Sequence, residues 1–209
     1  MAQEHIPEIV DLKEVKPDDF RLYFLDANVW LLALDGYDLL PDQQVYVDFW
    51  NLLLSREQQP SIVMNAVLSS ELINRYQRIG YSIWLESQEG REWTSDLARR
   101  GKKIDYKLDY RFTSHYRDRL TDLLSDLEGY AFALDWRSDS GVAEHMLPNL
   151  GASYPIRSDF NDAFHLNFCK HHELPLVTHD GDFYEPGTPV LTNHWKLLKM
   201  ASNLNRGER

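Results

Sequence analysis

Short apolar runs alternate along this chain with stretches in which apolar residues recur at helical spacing. Four apolar runs are predicted as strands buried in a parallel sheet, at 22–25, 62–64, 130–136 and 174–178. Helical spacing predicts helices at 41–55, from 65 to about 78, at 116–129 and at 159–172, with a further short helix around 142–147. This alternation predicts a three-layer α/β/α sandwich with a mostly parallel central sheet.

Glycines and composition suggest several element boundaries. Gly80 is expected to end the second helix and Gly129 the third. The polar segment 1–20 is predicted to be a leader that lies on the domain. Residues 84–115 mix aromatic and charged side chains without a clear period. We interpret them as a helical or irregular insertion within a single domain that spans residues 1–209.

The composition is that of a folded globular chain. Of 209 residues, 43% are hydrophobic and 26% are charged, which excludes general disorder and provides a sizeable core. The aromatic residues expected in that core are Trp30, Phe49, Trp50 and Trp136. The apolar runs are far shorter than a bilayer span, and the first residues show neither a basic region nor an apolar signal core. A cytoplasmic location without membrane contact is therefore expected.

Charge and cysteine content exclude several classes of function. The 22 basic and 33 acidic residues give a net charge of −11, which excludes a basic coat for indiscriminate nucleic-acid binding. An enzyme that binds cations through carboxylates is compatible with this charge, because bound metal ions reverse the local sign. The single cysteine, Cys169, excludes an internal disulfide framework and a thiolate zinc cluster.

Acidic side chains follow two of the predicted strands and begin one helix. Asp26 comes directly after the first strand, Asp180 and Asp182 follow the last predicted strand, and Asp162 lies in the first turn of the helix before it. Since the C-terminal ends of parallel strands share one edge of a sheet, these carboxylates are expected to converge. All-oxygen ligands suit Mg²⁺ or Mn²⁺ better than zinc. Taken singly, Asp159 could cap its helix and Asp182 could stabilise a turn around Gly181. Only the whole set of acids therefore indicates a cation site.

Three motifs, in order along the chain, resemble those of a known family. Residues 26–29, Asp-Ala-Asn-Val, are similar to the opening of PIN-domain nucleases, which begin with an Asp-x-(Ser/Thr/Asn) step after a strand. Residues 65–72 are similar to their second motif, a strand that leads into a helix carrying a glutamate. Residues 161–183 resemble the family's Asp-Ala helix, its Leu-Pro-Leu-Val strand and its Thr-x-Asp-x-Asp-Phe ending. The resemblance covers roughly 20–80 and 130–195.

This resemblance implies a cation site and a reaction. The implied ligands of Mg²⁺ or Mn²⁺ are the catalytic carboxylates Asp26, Glu71, Asp162 and Asp180, with Asp182 as a supporting ligand or a hydrogen-bond acceptor behind them. The side chains of Asn28 and Thr178 would orient the carboxylates or the substrate. The implied activity is that of a metal-dependent endoribonuclease, which hydrolyses RNA phosphodiester bonds and leaves a 5′-phosphate.

The resemblance also implies partners. Family members that act as toxins pair with a small antitoxin and often form dimers. An RNA substrate, a small antitoxin-like protein and a second copy of the chain are therefore the partners that it suggests. The segment from Glu71 to Asp162 is longer than in the compact toxin members, which the insertion at 84–115 explains.

The insertion is basic, in contrast to the chain as a whole. From Arg91 to Arg119 there are nine basic and five acidic residues, a net charge of +4. Tyr106, Tyr110 and Phe112 lie among them, and exposed aromatic rings stack on bases. The basic residues predicted to contact RNA are Arg99, Arg100, Lys102 and Lys103. A solvated helix face with buried aromatic residues is the alternative interpretation.

Two alternative functions remain. A magnesium-dependent phosphohydrolase of small phosphate esters, of the haloacid dehalogenase type, requires a second aspartate two residues after the first, where this chain has Asn28. A catalytically inactive PIN-like scaffold for protein contacts commonly lacks several of the acids, whereas this chain has the set. Stabilisation by a divalent cation separates the nuclease from the scaffold.

Overall fold

Six short strands form one sheet in the computed structural model, which describes residues 9–35, 39–103, 105–107, 109–142, 160–183 and 188–205. The strands are β1 (Ile9–Asp11), β2 (Tyr23–Leu25), β3 (Ile62–Met64), β4 (Leu134–Trp136), β5 (Leu176–Val177) and β6 (Val190–Thr192). Their order across the sheet is β1-β6-β5-β2-β3-β4, and all neighbouring strands pair in parallel. The predicted parallel sheet is confirmed.

Helices connect β2 to β3, β3 to β4 and β4 to β5. The α-helices of the described residues with assigned bounds are α1 (Ala27–Asp35), α2 (Pro41–Leu54), α3 (Ala66–Glu86), α4 (Gln88–Arg99), α5 (Ser114–Gly129), α6 (Phe160–His171) and α7 (Trp195–Asn205). Short 3₁₀ turns occur at Leu12–Glu14, Tyr110–Phe112 and Ala131–Ala133. The chain divides into two compact units, of which the first comprises Met1–Ser69 and Phe132–Arg209 and the second Ser70–Ala131.

Helices cover both faces of the sheet in the first unit. The ring of Tyr23 on β2 lies 5.3 Å from that of Phe49 on α2. The next residue, Phe24, contacts His165 and Phe168 on α6 at ring distances of 5.2 and 5.3 Å. Because successive side chains of a strand point to opposite faces, α2 and α6 lie on opposite sides of β2. This confirms the predicted three-layer α/β/α arrangement.

Aromatic packing holds the second unit together. The buried rings of Trp84 and Tyr110 lie 5.5 Å apart, and Tyr81 and Tyr106 pack against Tyr110 at 5.2 and 5.6 Å. The N-terminus of α5 is capped by Thr113, whose hydroxyl accepts a hydrogen bond from the Tyr116 amide at 3.1 Å. The predicted end of α5 at Gly129 is confirmed.

The prediction that Gly80 ends a helix is wrong. Helix α3 continues through Gly80 to Glu86. A Cβ atom on Gly80 would lie 2.5 Å from the Arg119 side chain and 2.7 Å from the Tyr110 hydroxyl. Glycine therefore permits close packing of α3 against these side chains. This packing offsets the lower helix propensity of glycine.

The prediction that the strand at 174–178 is the last one is also wrong. Strand β6 follows it. The segment 1–20, which was expected to be a polar leader, contributes β1 to the sheet, where it pairs with β6. Of the predicted strand at 130–136, only Leu134–Trp136 is extended, after a 3₁₀ turn. Helices α1 and α7 were not predicted.

Two further predictions concern individual positions. Trp30, Phe49 and Trp50 are buried as predicted, but Trp136 is 60% exposed because it ends an edge strand of the sheet. Asp159 and nearly all of the predicted helix around 142–147 lie outside the described residues. Within the part of the chain that the structure describes, no helix has the length and apolar character needed to cross a membrane.

Candidate active site

The candidate site lies where the chain changes direction across the sheet. From β2 the chain proceeds to β3 and β4 on one side, and it returns to β5 on the other side of β2. Crevices at the C-terminal ends of parallel strands form at such switch points. Asp26 follows β2 and Thr178 follows β5, and the pairing of Leu25 with Val177 puts these two residues side by side.

Asp26 is held by the backbone on both sides. Its amide donates to the Val177 carbonyl at 3.0 Å, which extends the ladder between β2 and β5. Its carbonyl accepts from the amides of Val29 and Trp30 at 2.9 and 3.2 Å, which begins α1. The direction of the Asp26 side chain is therefore determined by the sheet and by the first turn of the helix. The residue is 1% exposed.

The buried Asp26 carboxylate receives hydrogen bonds from two predicted site residues. The Thr178 hydroxyl donates to Oδ2 at 3.1 Å, and the Asn28 side-chain amide donates to the same oxygen at 3.1 Å. Both donors are neutral and hold the carboxylate in one orientation. A carboxylate oxygen is the type of ligand that Mg²⁺ and Mn²⁺ prefer, so the chemistry of this site fits a divalent ion.

Thr178 links Asp26 to a turn that carries two further carboxylates. Its hydroxyl oxygen accepts a hydrogen bond from the Asp180 amide at 2.9 Å, and Asp180 Oδ1 accepts one from the Asp182 amide at 2.9 Å. Asp180 is half-buried, whereas Asp182 is exposed and pairs with Lys196. The structure thus brings Asp26, Asn28, Thr178 and Asp180 together.

Asp162 lies in the first turn of α6 and is half-buried. The spacing places it on the helix face that also carries His165 and Cys169. His165 contacts Phe24 of β2. Burial raises the pKa of the Cys169 thiol well above its ordinary value, and the negative charge of Asp26 raises it further. The helix face of Asp162 therefore packs against β2, the strand that Asp26 directly follows.

Glu71 belongs to the second unit. It lies in the second turn of α3, is 7% exposed, and pairs with Arg75 at 2.7 Å. Its predicted role as a metal ligand stays a prediction from the sequence.

Asp139 is an acidic residue near this edge that the sequence analysis did not include. It follows β4, and its Oδ2 accepts a hydrogen bond from the Ala66 amide at 3.2 Å, which caps the N-terminus of α3. Burial raises the pKa of Asp139 above its ordinary value, while hydrogen bonds from the amides of Ala66 and Val67 and the nearby charge of His165 oppose that rise. Its position in the loop after β4, three residues beyond Trp136, is the signal that could have identified it.

The oxygen donors at this edge suit Mg²⁺ or Mn²⁺. Among the residues that the structure describes, no group of three or more His, Cys, Asp or Glu side chains lies close enough to hold a metal ion. Mg²⁺ commonly binds through one or two carboxylates and keeps several waters or substrate phosphates as its remaining ligands. The pair Asp26 and Asp180 is compatible with that mode of binding.

The predicted RNA contacts lie in the second unit. Arg99 ends α4, Arg100 pairs with Asp96 at 2.7 Å, and Lys102 and Lys103 are exposed. Of the aromatic residues expected to stack on bases, Phe112 is 75% exposed, Tyr106 is partly buried and Tyr110 is fully buried. Tyr110 therefore serves the packing of this unit, as the alternative interpretation proposed.

Comparison with known protein families gives one match. The family model described as PIN domain matches residues 23–188, a segment that contains Asp26, Asp162 and Asp180. No curated protein matches the chain significantly.

Proposed function

The chain belongs to the PIN-domain family, and from this premise we propose that it is a metal-dependent endoribonuclease. PIN domains are a nuclease-type fold that is generally metal-dependent. The observation that carries the proposal is the buried Asp26 carboxylate at the switch point, which accepts a hydrogen bond from Thr178 beside Asp180.

Each residue of the site has a distinct role in this proposal. In this proposal Asp26 and Asp180 would bind Mg²⁺ or Mn²⁺ directly and Asp162 would contact the ion through a bound water, while Glu71 is the fourth carboxylate that the family resemblance implies. Thr178 and Asn28 keep Asp26 Oδ2 oriented, and Asp182 supports the turn through Lys196. When bound, a divalent cation would neutralise charge on the scissile phosphate and increase the acidity of the attacking water.

The environment of Asn28 disfavours a phosphohydrolase of the haloacid dehalogenase type. That chemistry needs a carboxyl group two residues after the first aspartate, to act as a general acid. In this chain the position carries a side-chain amide, which donates a hydrogen bond to Asp26. An amide cannot transfer a proton to a leaving group in this way.

A direct test is incubation of the full chain with RNA. Single-stranded RNA, a hairpin RNA and DNA of the same sequence are each supplied with Mn²⁺, Mg²⁺ or a chelator. We expect cleavage of RNA in the presence of a cation, with 5′-phosphate ends identified by mass spectrometry. The absence of cleavage, together with a melting temperature that neither cation changes, would support the inactive scaffold instead.

A second prediction concerns the basic residues of the second unit. The variant R99Q/R100Q/K102Q/K103Q is expected to weaken RNA binding about fivefold at low salt, because fewer cations are then available to neutralise phosphates. The melting temperature should change little, since all four side chains lie at or beyond the end of α4 and are exposed. Fluorescence anisotropy with a labelled RNA in chelator, repeated at several salt concentrations, measures this effect.

The matched control is R91Q/R117Q, which removes two exposed charges elsewhere in the same unit. The loss of RNA affinity per charge removed should be smaller in this control than in the variant with four substitutions. An equal loss per charge would mean that the four residues form no RNA contact of their own.

A small antitoxin-like partner and a homodimer belong to the proposal through the resemblance alone. The cytoplasmic location, which was expected from the composition, also stays a prediction. The interpretation of 84–115 as an insertion within a single domain also stays a prediction. These residues lie inside the second unit, Ser70–Ala131.

A further inference from the structure

Four aromatic rings form a continuous column from the core of the first unit to its surface. Tyr46 on α2 is fully buried, and the ring of His179 lies 5.1 Å from it. His194 lies 5.5 Å from His179, and Trp195 stacks on His194 at 6.2 Å with an angle of 26° between the rings. Trp195 is 69% exposed, so the outermost ring of the column is largely open to solvent.

Hydrogen bonds hold the base of this column in place. The hydroxyl group of Tyr46 bonds to Thr192 Oγ1 at 3.1 Å and accepts from the Asn193 amide at 2.7 Å. Thr192 Oγ1 also accepts from the His194 amide at 3.0 Å. The backbone that carries His194 is thereby fixed at the end of β6. A stacking surface whose support is already ordered loses little conformational entropy when a ligand binds.

The column lies against the turn that carries Asp180 and Asp182. A Cβ atom on Gly181 would lie 2.6 Å from the His194 ring and 3.1 Å from the Lys196 side chain. Lys196, the residue after Trp195, pairs with Asp182. The exposed Trp195 and a lysine therefore lie next to the carboxylate turn of the candidate active site.

We propose that the exposed ring of Trp195 is a subsite on which a base of the nucleic-acid strand stacks, next to the turn that carries Asp180 and Asp182. This inference rests on the proposed function, and it identifies where the strand is held next to the carboxylate turn. Stacking on tryptophan accepts any base, because every base has a π face. A nucleic-acid strand is the expected occupant because the ring lies next to the carboxylate turn at which the proposed function places the scissile phosphate.

Trp136 provides a matched comparison within the same unit. It is 60% exposed and ends β4 at the same edge of the sheet, and no ring of the described residues stacks on it. A single exposed tryptophan needs no functional explanation. The ring column and the adjacent turn distinguish Trp195 from Trp136.

The test compares binding of two probes to the full chain in chelator, where cleavage does not interfere. One probe is a fluorescein-labelled uridine octamer, and the other is an abasic phosphodiester of the same length and charge. Trp195→Leu is expected to raise the Kd for the octamer about tenfold, the effect of one lost stacking contact, and to leave the abasic probe unchanged. Trp195→Phe should restore most of the affinity, and Trp136→Leu should bind both probes like the wild type.

The results separate failure of the subsite from failure of the proposed function. An unchanged octamer Kd in Trp195→Leu, an equal loss for the abasic probe, or no octamer binding by the wild type overturns the subsite. A dimer that Trp195→Leu converts to monomer, with octamer affinity unchanged, overturns it in favour of a contact between copies. If Trp195 governs octamer binding but the wild type cleaves no RNA with Mn²⁺, the subsite stands and the nuclease proposal fails.

Discussion

Asp26→Asn is expected to lower kcat/KM for RNA cleavage by on the order of a thousandfold. This effect is larger than the roughly 10- to 100-fold loss expected when a residue that hydrogen-bonds to a metal ligand is removed. The substitution keeps the shape of the side chain and an oxygen that can accept from Thr178 or Asn28, but it removes the negative charge. Because Asp26 is 1% exposed, solvent cannot compensate for the missing charge. The measurement is single-turnover cleavage of a labelled RNA in Mn²⁺.

A stability measurement shows whether that loss arises from chemistry or from unfolding. A buried carboxylate destabilises the cation-free protein, so Asp26→Asn should keep its free energy of unfolding within about 1 kcal/mol of the wild type. Mn²⁺ should raise the melting temperature of the wild type and should leave that of the variant unchanged. Asp48→Asn, which changes an exposed carboxylate on α2, serves as the control and should keep full activity. Retention of a tenth of the wild-type activity in Asp26→Asn would contradict the proposed site.

The buried centre of the sheet could be predicted from sequence, whereas the side formed by β1 and β6 could not. Strands β2 and β3 are continuous apolar runs, and apolar residues bury them on both faces. Strands β1 and β6 have three residues each, and their pairing with each other depends on a contact between distant parts of the chain. Local pattern carries no information on such pairing. Helix α1 was missed because its residues are apolar nearly all round, which gives no helical period.

The part of the candidate site that lies at strand ends could be predicted from sequence. Asp26 and Thr178 are adjacent because β2 and β5 are adjacent, and both strands were recognised. The end of β4 at Trp136 was predicted correctly, but Asp139 lies three residues beyond it, so no strand end in the sequence marked this aspartate as Leu25 marks Asp26. The ring column depends on β6 and α7, neither of which was predicted, so its four rings gave no pattern in the sequence.

Thr178→Val is expected to lower kcat for RNA cleavage about 10- to 100-fold and to cost about 2 kcal/mol of stability. Valine fills the same buried volume but has no hydroxyl group. Asp26 Oδ2 would lose a donor at 3.1 Å, and the Asp180 amide would lose its acceptor at 2.9 Å. Both carboxylates would then be less well oriented for a cation. The measurements are cleavage at saturating RNA and urea denaturation.

Two further variants distinguish orientation of the carboxylates from loss of stability. Thr178→Ser keeps the hydroxyl and should retain most of kcat. Thr192→Val removes an equivalent hydrogen bond at the end of β6, where the hydroxyl accepts from the His194 amide at 3.0 Å. Its loss of stability should resemble that of Thr178→Val, but its effect on cleavage should appear in KM, because His194 supports the stacking ring. Equal losses of kcat in the two valine variants would show that activity follows stability alone, and that Thr178 has no specific role in orienting Asp26.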